Sequence, residues 1–283
     1  MMIIGKWTTR VLGEHLPYDN DVLVFLKNGT GWMYSMNKQG WSSDTFVWKK
    51  NENGSLCIEG KVHEYKREEA RESKILFNEV FYKVTTGLSG KVITFSSPIS
   101  SDHTTFGLDD GDVPDLDREM TVFEKIHEQI KLLHWYTPNC IVDSVLQELI
   151  QIDDQHLHLL VLPYGKAYWD NAALVLSKIE SKRLEVIIPD MIEWLYDLNW
   201  PGALEIAELL CKMGEPIIPH LKPYLSEYES PMTSNILSEI VENWPKSHVI
   251  QLKHELKSLT TQDETSEYAK RTVLEIFKEH ELF

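Results

Sequence analysis

The sequence predicts an α+β chain in two parts, an antiparallel β domain followed by an all-α array of helices. Three observations carry this. Apolar residues alternate in short segments from Gly5 to about Gly107, and beyond Leu116 their period becomes helical. In the second half a 30-residue spacing recurs: Ile187-Ile188-Pro189 returns as Ile217-Ile218-Pro219, and Trp194-Leu195 as Tyr224-Leu225. The expected organisation is a β-barrel or sandwich over 1–108, an acidic linker over 109–117 and a helical repeat domain over 118–283.

The β segments follow in order. Val22, Val24 and Leu26 share one strand face, with Leu23 and Phe25 on the other. Lys27-Asn28-Gly29-Thr30-Gly31 offers glycine and Asn for positive φ, and Trp32, Tyr34 and Met36 alternate on the return. Phe46 and Trp48 alternate, Asn51-Glu52-Asn53-Gly54 turns, and Leu56 and Ile58 run back. Further strands fit 76–84, 91–96 and 104–108. Four of the nine tryptophans fall in the first fifty residues. Trp32, Tyr34, Phe46 and Trp48 therefore either line a ligand cavity or fill a small core, which needs bulky side chains to pack densely. Trp41 lies in the polar stretch 37–44 and reads as an exposed contact residue.

Gly5-Lys6-Trp7, followed by an up-and-down series of strands, resembles the opening of the lipocalin and fatty-acid-binding barrels. The resemblance implies a lipocalin-like barrel with Trp7 plugging its closed end. A small apolar molecule or a peptide would be bound by Trp32, Tyr34, Phe46 and Trp48 lining the cavity, with Trp41 as an exposed contact.

Asp109, Asp110, Asp112, Asp115 and Asp117 crowd around Gly111 and Pro114, the composition of a solvated linker. No frame there supplies the Asp/Asn, Gly and Glu positions of a calcium loop, so no metal is expected.

Helical stripes follow: Phe123, Ile126, Ile130 and Leu133, then Ile141, Val145 and Leu149, then 172–179 with Asp170 or Asn171 as cap. In the repeats Ile188, Met191, Ile192 and Leu195 face Ala203, Ile206, Ala207 and Leu210, and Met213-Gly214 ends the hairpin. A helix starts at Ser230-Pro231, and a weaker third copy starts at Val249-Ile250. Each helix offers one apolar stripe, so hairpins must stack into an array similar to HEAT repeats. At the Asn199-Trp200-Pro201 turn, Asn199 suits a left-handed residue and Pro201 the first helical position.

The segment 163–245 also resembles a bacterial domain-of-unknown-function family. The residues that carry this are Leu162-Pro163, Glu193-Trp194-Leu195-Tyr196-Asp197-Leu198-Asn199-Trp200-Pro201, and Ile217-Ile218-Pro219-His220 downstream. Tyr164 to Trp169 departs from the short charged loop expected there. The resemblance implies a helical fold without a chemistry, and arrays of this kind bind proteins on a concave face. Trp194, Asp197, Asn199 and Trp200 are the candidate partner-binding residues. Alternatively, Asp197 and Asn199 satisfy backbone amides at a helix junction while the tryptophans pack between hairpins.

The sequence holds no phosphate loop, no Gly-x-Ser-x-Gly elbow and no His-Glu-x-x-His, so no catalytic residue and no cofactor is assigned. His156 and His158 would share a face of a strand but lack a third ligand, and for His127 and His134, seven apart on one helix face, the sequence names no catalytic or metal-binding companion. Cys57, Cys140 and Cys211, an odd number without close pairs, argue against a disulfide framework and a zinc-ribbon site. The N-terminus lacks a signal-peptide pattern, and no stretch reaches the roughly 18 apolar residues of a membrane span. A cytoplasmic protein is expected.

Acidic residues number 44 against 28 basic, for a formal charge of −16. That balance disfavours nucleic acid and anionic membranes, and with them a glycosylase-like array needing a basic groove. The expected function is a non-catalytic binding protein: a β domain for a small apolar molecule or peptide, and a helical array for a protein partner. The alternative is an acidic immunity or inhibitor protein that covers a basic toxin.

Overall fold

A computed structural model describes residues 3–12, 20–66, 68–87, 90–226, 231–261 and 267–282. It divides into two compact units, 1–145 and 146–283.

The first unit is built on one antiparallel sheet. Its strands are β1 (Gly5–Thr8), β2 (Asn20–Phe25), β3 (Thr30–Asn37), β4 (Gly40–Lys50), β5 (Leu56–Tyr65), β6 (Arg71–Glu72), β7 (Leu76–Val80), β8 (Tyr82–Gly87), β9 (Gly90–Phe95) and β10 (Thr105–Asp110). The hydrogen-bonded order is β6-β5-β4-β3-β2-β1-β10-β9-β8, with β7 also on β5. Gly29, at φ +80°, makes the β2–β3 turn. Gly31 must be glycine for a different reason: a Cβ there collides with the Val24 carbonyl and comes within 2.7 Å of the Phe46 ring.

The sheet is not closed into the lipocalin-like barrel expected. Segment 76–87 changes partner at Phe81, with β7 paired to β5 and β8 to β9, so among the described residues neither piece carries a ladder on both sides. One face of the sheet nevertheless gathers a single core containing Trp7, Leu23, Phe25, Met33, Phe46, Trp48, Ile58, Phe95 and Phe106. Phe25 sits 5.4 Å from Phe46, 5.6 Å from Trp48 and 6.5 Å from Phe95 between ring centroids. Trp7 is fully buried and its indole N–H donates to the Ile3 carbonyl at 2.8 Å.

Towards the start of β2 and the end of β3 this face turns polar. Buried Asp21 accepts from Ser35 Oγ (2.5 Å) and meets His103 Nδ1 (2.9 Å). On the β4–β5 pair, Asp44 accepts from Ser73 Oγ (2.6 Å) and meets His63 Nδ1 (3.0 Å).

Residues 109–117, expected as a solvated linker, are tied down within this unit. Asp109 pairs with Lys6, Asp115 with Lys27 and Asp112 with Lys131, each at 2.8 Å. Val113 and Pro114 are buried. Helix α1 (Val122–Ile130) opens with a capping box in which Thr121 and Glu124 satisfy each other's backbone N–H groups. Helix α2 (Asn139–Leu149) begins on the Glu64 carboxylate, which accepts from the Asn139 and Cys140 N–H groups, both at 2.8 Å. The division between the units falls inside α2.

The described residues of the second unit form helices and no strand. It contains α3 (Trp169–Leu176), α4 (Ser181–Leu184), α5 (Ile188–Ile192), α6 (Ala203–Met213), α7 (Ile218–Ser226), α8 (Pro231–Glu239), α9 (Lys246–Val249), α10 (Lys253–Thr261) and α11 (Glu267–Glu279). Helix α3 packs on α6, α6 on α8 and α8 on α11, while α7 packs on α10. The sequence repeat has a structural counterpart. A 3-10 turn at Glu185–Ile187 leads into α5, one at Glu215–Ile217 into α7 and one at Ile250–Leu252 into α10. Gly214, at φ +68°, ends α6 as expected. The expected helix start at Ser230 lies outside the described residues. His156 and His158 sit on a 3-10 stretch, Asp154–Leu160, and not on a strand.

Candidate functional site

The Trp-rich string of the second unit folds into two successive turns. A 3-10 turn, Glu193–Tyr196, ends at Asp197, whose backbone is extended at φ −144°. The Asp197 carboxylate then accepts from the Asn199 backbone N–H (2.9 Å) and side-chain amide (3.0 Å). These two donors, in that order, hold the exposed carboxyl below its ordinary range, with Lys166 adding a smaller attraction. The second turn runs from Trp200 to Ala203, closed by Ala203 N–H on the Trp200 carbonyl at 3.0 Å. Pro201 and Gly202 occupy its centre, the pattern of a type II turn.

Two expectations for this turn are corrected. Asn199 is not left-handed; the positive φ (+76°) belongs to Gly202. Pro201 is not the first residue of a helix, because α6 begins at Ala203. Pro-Gly at the turn centre accounts for both, since glycine takes positive φ at no steric cost. A Cβ at Gly202 would sit 2.5 Å from the Ala173 Cβ and 2.9 Å from the Trp169 carbonyl oxygen, so α3 leaves no room for one.

The four residues singled out in the string have different surroundings. Trp194 is fully buried and donates to the Pro201 carbonyl at 2.8 Å, a pin across the turn. Asp197 and Asn199 hold the loop. Trp200 is half-buried and belongs to a larger aromatic cluster that the string alone did not reveal. Its ring lies 5.2 Å from Trp169 and 5.9 Å from Tyr196, and Trp169 stands edge-on to Trp194 at 6.3 Å. The Lys166 ammonium lies 5.4 Å from the Trp200 ring centre and 6.0 Å from Trp169.

The segment before α3 completes the cluster. Trp169 donates to the Pro163 carbonyl at 3.1 Å, and Tyr164 and Tyr168 pack 5.3 Å apart. Leu162 and Tyr164 both hold positive φ, +46° and +49°, unusual for residues with a bulky Cβ substituent. Tyr164 and Tyr196 remain 57% and 54% exposed. The one sequence feature pointing to Tyr164, Lys166, Tyr168 and Trp169 was the departure of 164–169 from a charged loop. Tyr196 was hidden inside the motif. Chemically, the cluster brings together aromatic faces, one ammonium and one carboxylate.

The aromatic residues expected to line a cavity in the first unit are not brought to one place. Phe46 and Trp48 belong to the core on one face of the sheet. Trp32 and Tyr34 alternate with Met33, a core residue, and so lie on the opposite face. Tyr34 is buried there between Trp41 (5.9 Å, stacked) and Tyr136 (5.1 Å). Burial first, and Tyr136 second, push its phenol up to about 12. Trp41 is only half-buried; its stretch, read as polar, continues as strand β4.

Among the described residues, no group of three or more His, Cys, Asp or Glu side chains is placed to hold a metal ion. No helix there is long and apolar enough to cross a membrane. Cys57, Cys140 and Cys211 are free thiols. Burial, and then the Glu64 carboxylate, push Cys140 up to about 11.

A search of curated proteins finds no match to the chain. One family model does match, and it reaches further than the motif-bearing segment 163–245, taking in the aromatic cluster and the helices through α11. Residues 161–279 are thereby similar to the family described as Domain of unknown function (DUF5071).

Proposed function

We propose that the helical unit is a HEAT-like protein-binding module that takes a basic partner, anchored on the cluster of Tyr164, Trp169, Tyr196 and Trp200. The observation that carries this is an exposed aromatic cluster set in a strongly acidic unit. Residues 146–283 hold 23 acidic and 12 basic residues, whereas 1–145 hold 21 and 16. Partly exposed Trp and Tyr supply large contact area at low entropy cost and are the usual anchors of an interface. Lys166 over the Trp200 and Trp169 rings is an internal example of the contact a partner's Arg or Lys would make on the free faces. The acidic surroundings steer such a partner in. The HEAT-like reading is supported by the stacking of α3, α6, α8 and α11 and by the three 3-10-to-helix starts.

An acidic inhibitor that covers a basic toxin is one form of the same reading. The aromatic packing of Phe25, Phe46, Trp48 and Phe95 supports a filled core in the first unit, so the apolar-ligand role is not carried forward. The test is affinity capture from the source cells with wild type and with Tyr164→Ala/Tyr196→Ala, in low and moderate salt. The expected result is retention of a basic protein that is lost in moderate salt and lost by the double variant. Retention of the same proteins by wild type and double variant would sink the proposal.

A further inference from the structure

The Asp44–His63 pair of the first unit stands beside a cavity of about 320 Å³ lined by Asp44, His63, Arg71, Glu72, Lys74 and Ile75. Both oxygens of Asp44 are committed, Oδ1 to the Ser73 hydroxyl (2.6 Å) and Oδ2 to His63 Nδ1 (3.0 Å). Its side chain is only 15% exposed. Asp44 thus occupies Nδ1 and holds the ring, so Nε2 is the ring nitrogen left for a ligand in the cavity that His63 lines. The register pairs His63 with Arg71 across β5 and β6, so the two side chains share a face; Glu72, paired with Val62, also lines the cavity. Neither Arg71 nor Lys74 has an ion pair among the described residues, and both are exposed. Ile75 supplies an apolar floor, packed against the core.

We propose that this cavity binds a small hydroxyl-bearing oxyanion, either a phosphate monoester or a hydroxy acid. Arg71 and Lys74 take the anionic oxygens and His63 Nε2 hydrogen-bonds the hydroxyl. A guanidinium holds an oxyanion through two parallel N–H donors, and the ring supplies what a plain cationic patch lacks, a polar ring nitrogen held in fixed orientation. The cavity volume suits a ligand of a few heavy atoms. The site lies within the first unit and is independent of partner binding by the helical unit.

The test follows the His63 imidazole nitrogens by NMR in the full chain while inorganic phosphate, and separately glycolate, is titrated in. The ring is assigned by the loss of its signal in His63→Gln, or by its proximity to Ile75 if that variant does not fold. The expected result is a saturating shift at Nε2, with affinity weakened about tenfold or more in Arg71→Ala, the usual cost of losing a charge-assisted contact. A response to phosphate alone identifies a phosphate ester, to glycolate alone a hydroxy acid, and to both the shared chemistry. A His63 ring unmoved by either anion, or moved equally in Arg71→Ala, would overturn the proposal and leave Asp44–His63 as a pin for the sheet edge.

Discussion

At the residue scale, His134 carries a measurable consequence. Its Nδ1 accepts from the Tyr136 backbone N–H at 3.1 Å. Burial first, and the nearby Lys6 ammonium second, lower the ring from its ordinary 6.5 to about 4, against a smaller opposing pull from Asp109. Below pH 6.5 the unfolded chain takes up a proton that the folded protein refuses until about pH 4. Stability contributed by the neutral ring is therefore present above pH 6.5 and is lost as the pH falls through that window, by roughly 3 kcal/mol at most. His134→Asn keeps an acceptor for Tyr136 and removes the titration. Denaturant titrations at several pH values should show a shallower acid loss in the variant; parallel curves would assign the loss to carboxylates. None of this was legible in the sequence, where His127 and His134 had no nameable partner. The relevant neighbours, Lys6 and Asp109, are remote in the chain and meet the ring only through the β1–β10 pairing. The exposure of the Tyr164 and Tyr196 rings was equally hidden, because exposure of an aromatic is a property of the fold and not of its spacing.

Elements were far more legible. Period-two alternation located β2, β3, β5, β9 and β10, and the 30-residue spacing located the α5 and α7 hairpins, because both patterns record which face each element buries. Barrel closure was not legible. It depends on whether 76–87 stays one strand, and only the structure shows its pairing change at Phe81 from β5 to β9. The Asn199–Gly202 turn failed for a local reason: Asn, Pro and Gly each fit more than one turn position, and the neighbour that decides is α3. Gly202→Ala tests this directly. It adds left-handed strain of about 1–2 kcal/mol and an overpacking cost of about 1–3 kcal/mol against Ala173 and Trp169, so a total loss of about 2–5 kcal/mol is expected by denaturant unfolding. A loss confined to about 1–2 kcal/mol, the strain alone, would mean that α3 and the turn do not meet as described, and one below about 0.5 kcal/mol would also overturn the left-handed conformation of Gly202. Asp197→Ala should lower stability by less than Gly202→Ala, since an exposed carboxylate that braces a loop is partly replaced by water.

At the scale of the molecule, the excess of acidic residues acts in two opposite directions. Like charges repel within the folded helical unit, and added salt screens that repulsion, so its melting temperature should rise with ionic strength. The first unit, with 21 acidic and 16 basic residues against 23 and 12, should respond less. Thermal unfolding followed by far-ultraviolet circular dichroism separates the two, because the helical signal comes chiefly from residues 146–283. The same screening removes the attraction between that unit and a basic partner, so the complex should weaken in the salt range where the protein itself becomes more stable. This opposition of signs makes the two measurements informative together. A binder that lost its partner because salt unfolded it would show both quantities falling. A partner held by apolar contact alone would keep its affinity, or gain it, as salt rose. Only a folded acidic surface recognising a basic one predicts a rising melting temperature with a falling affinity.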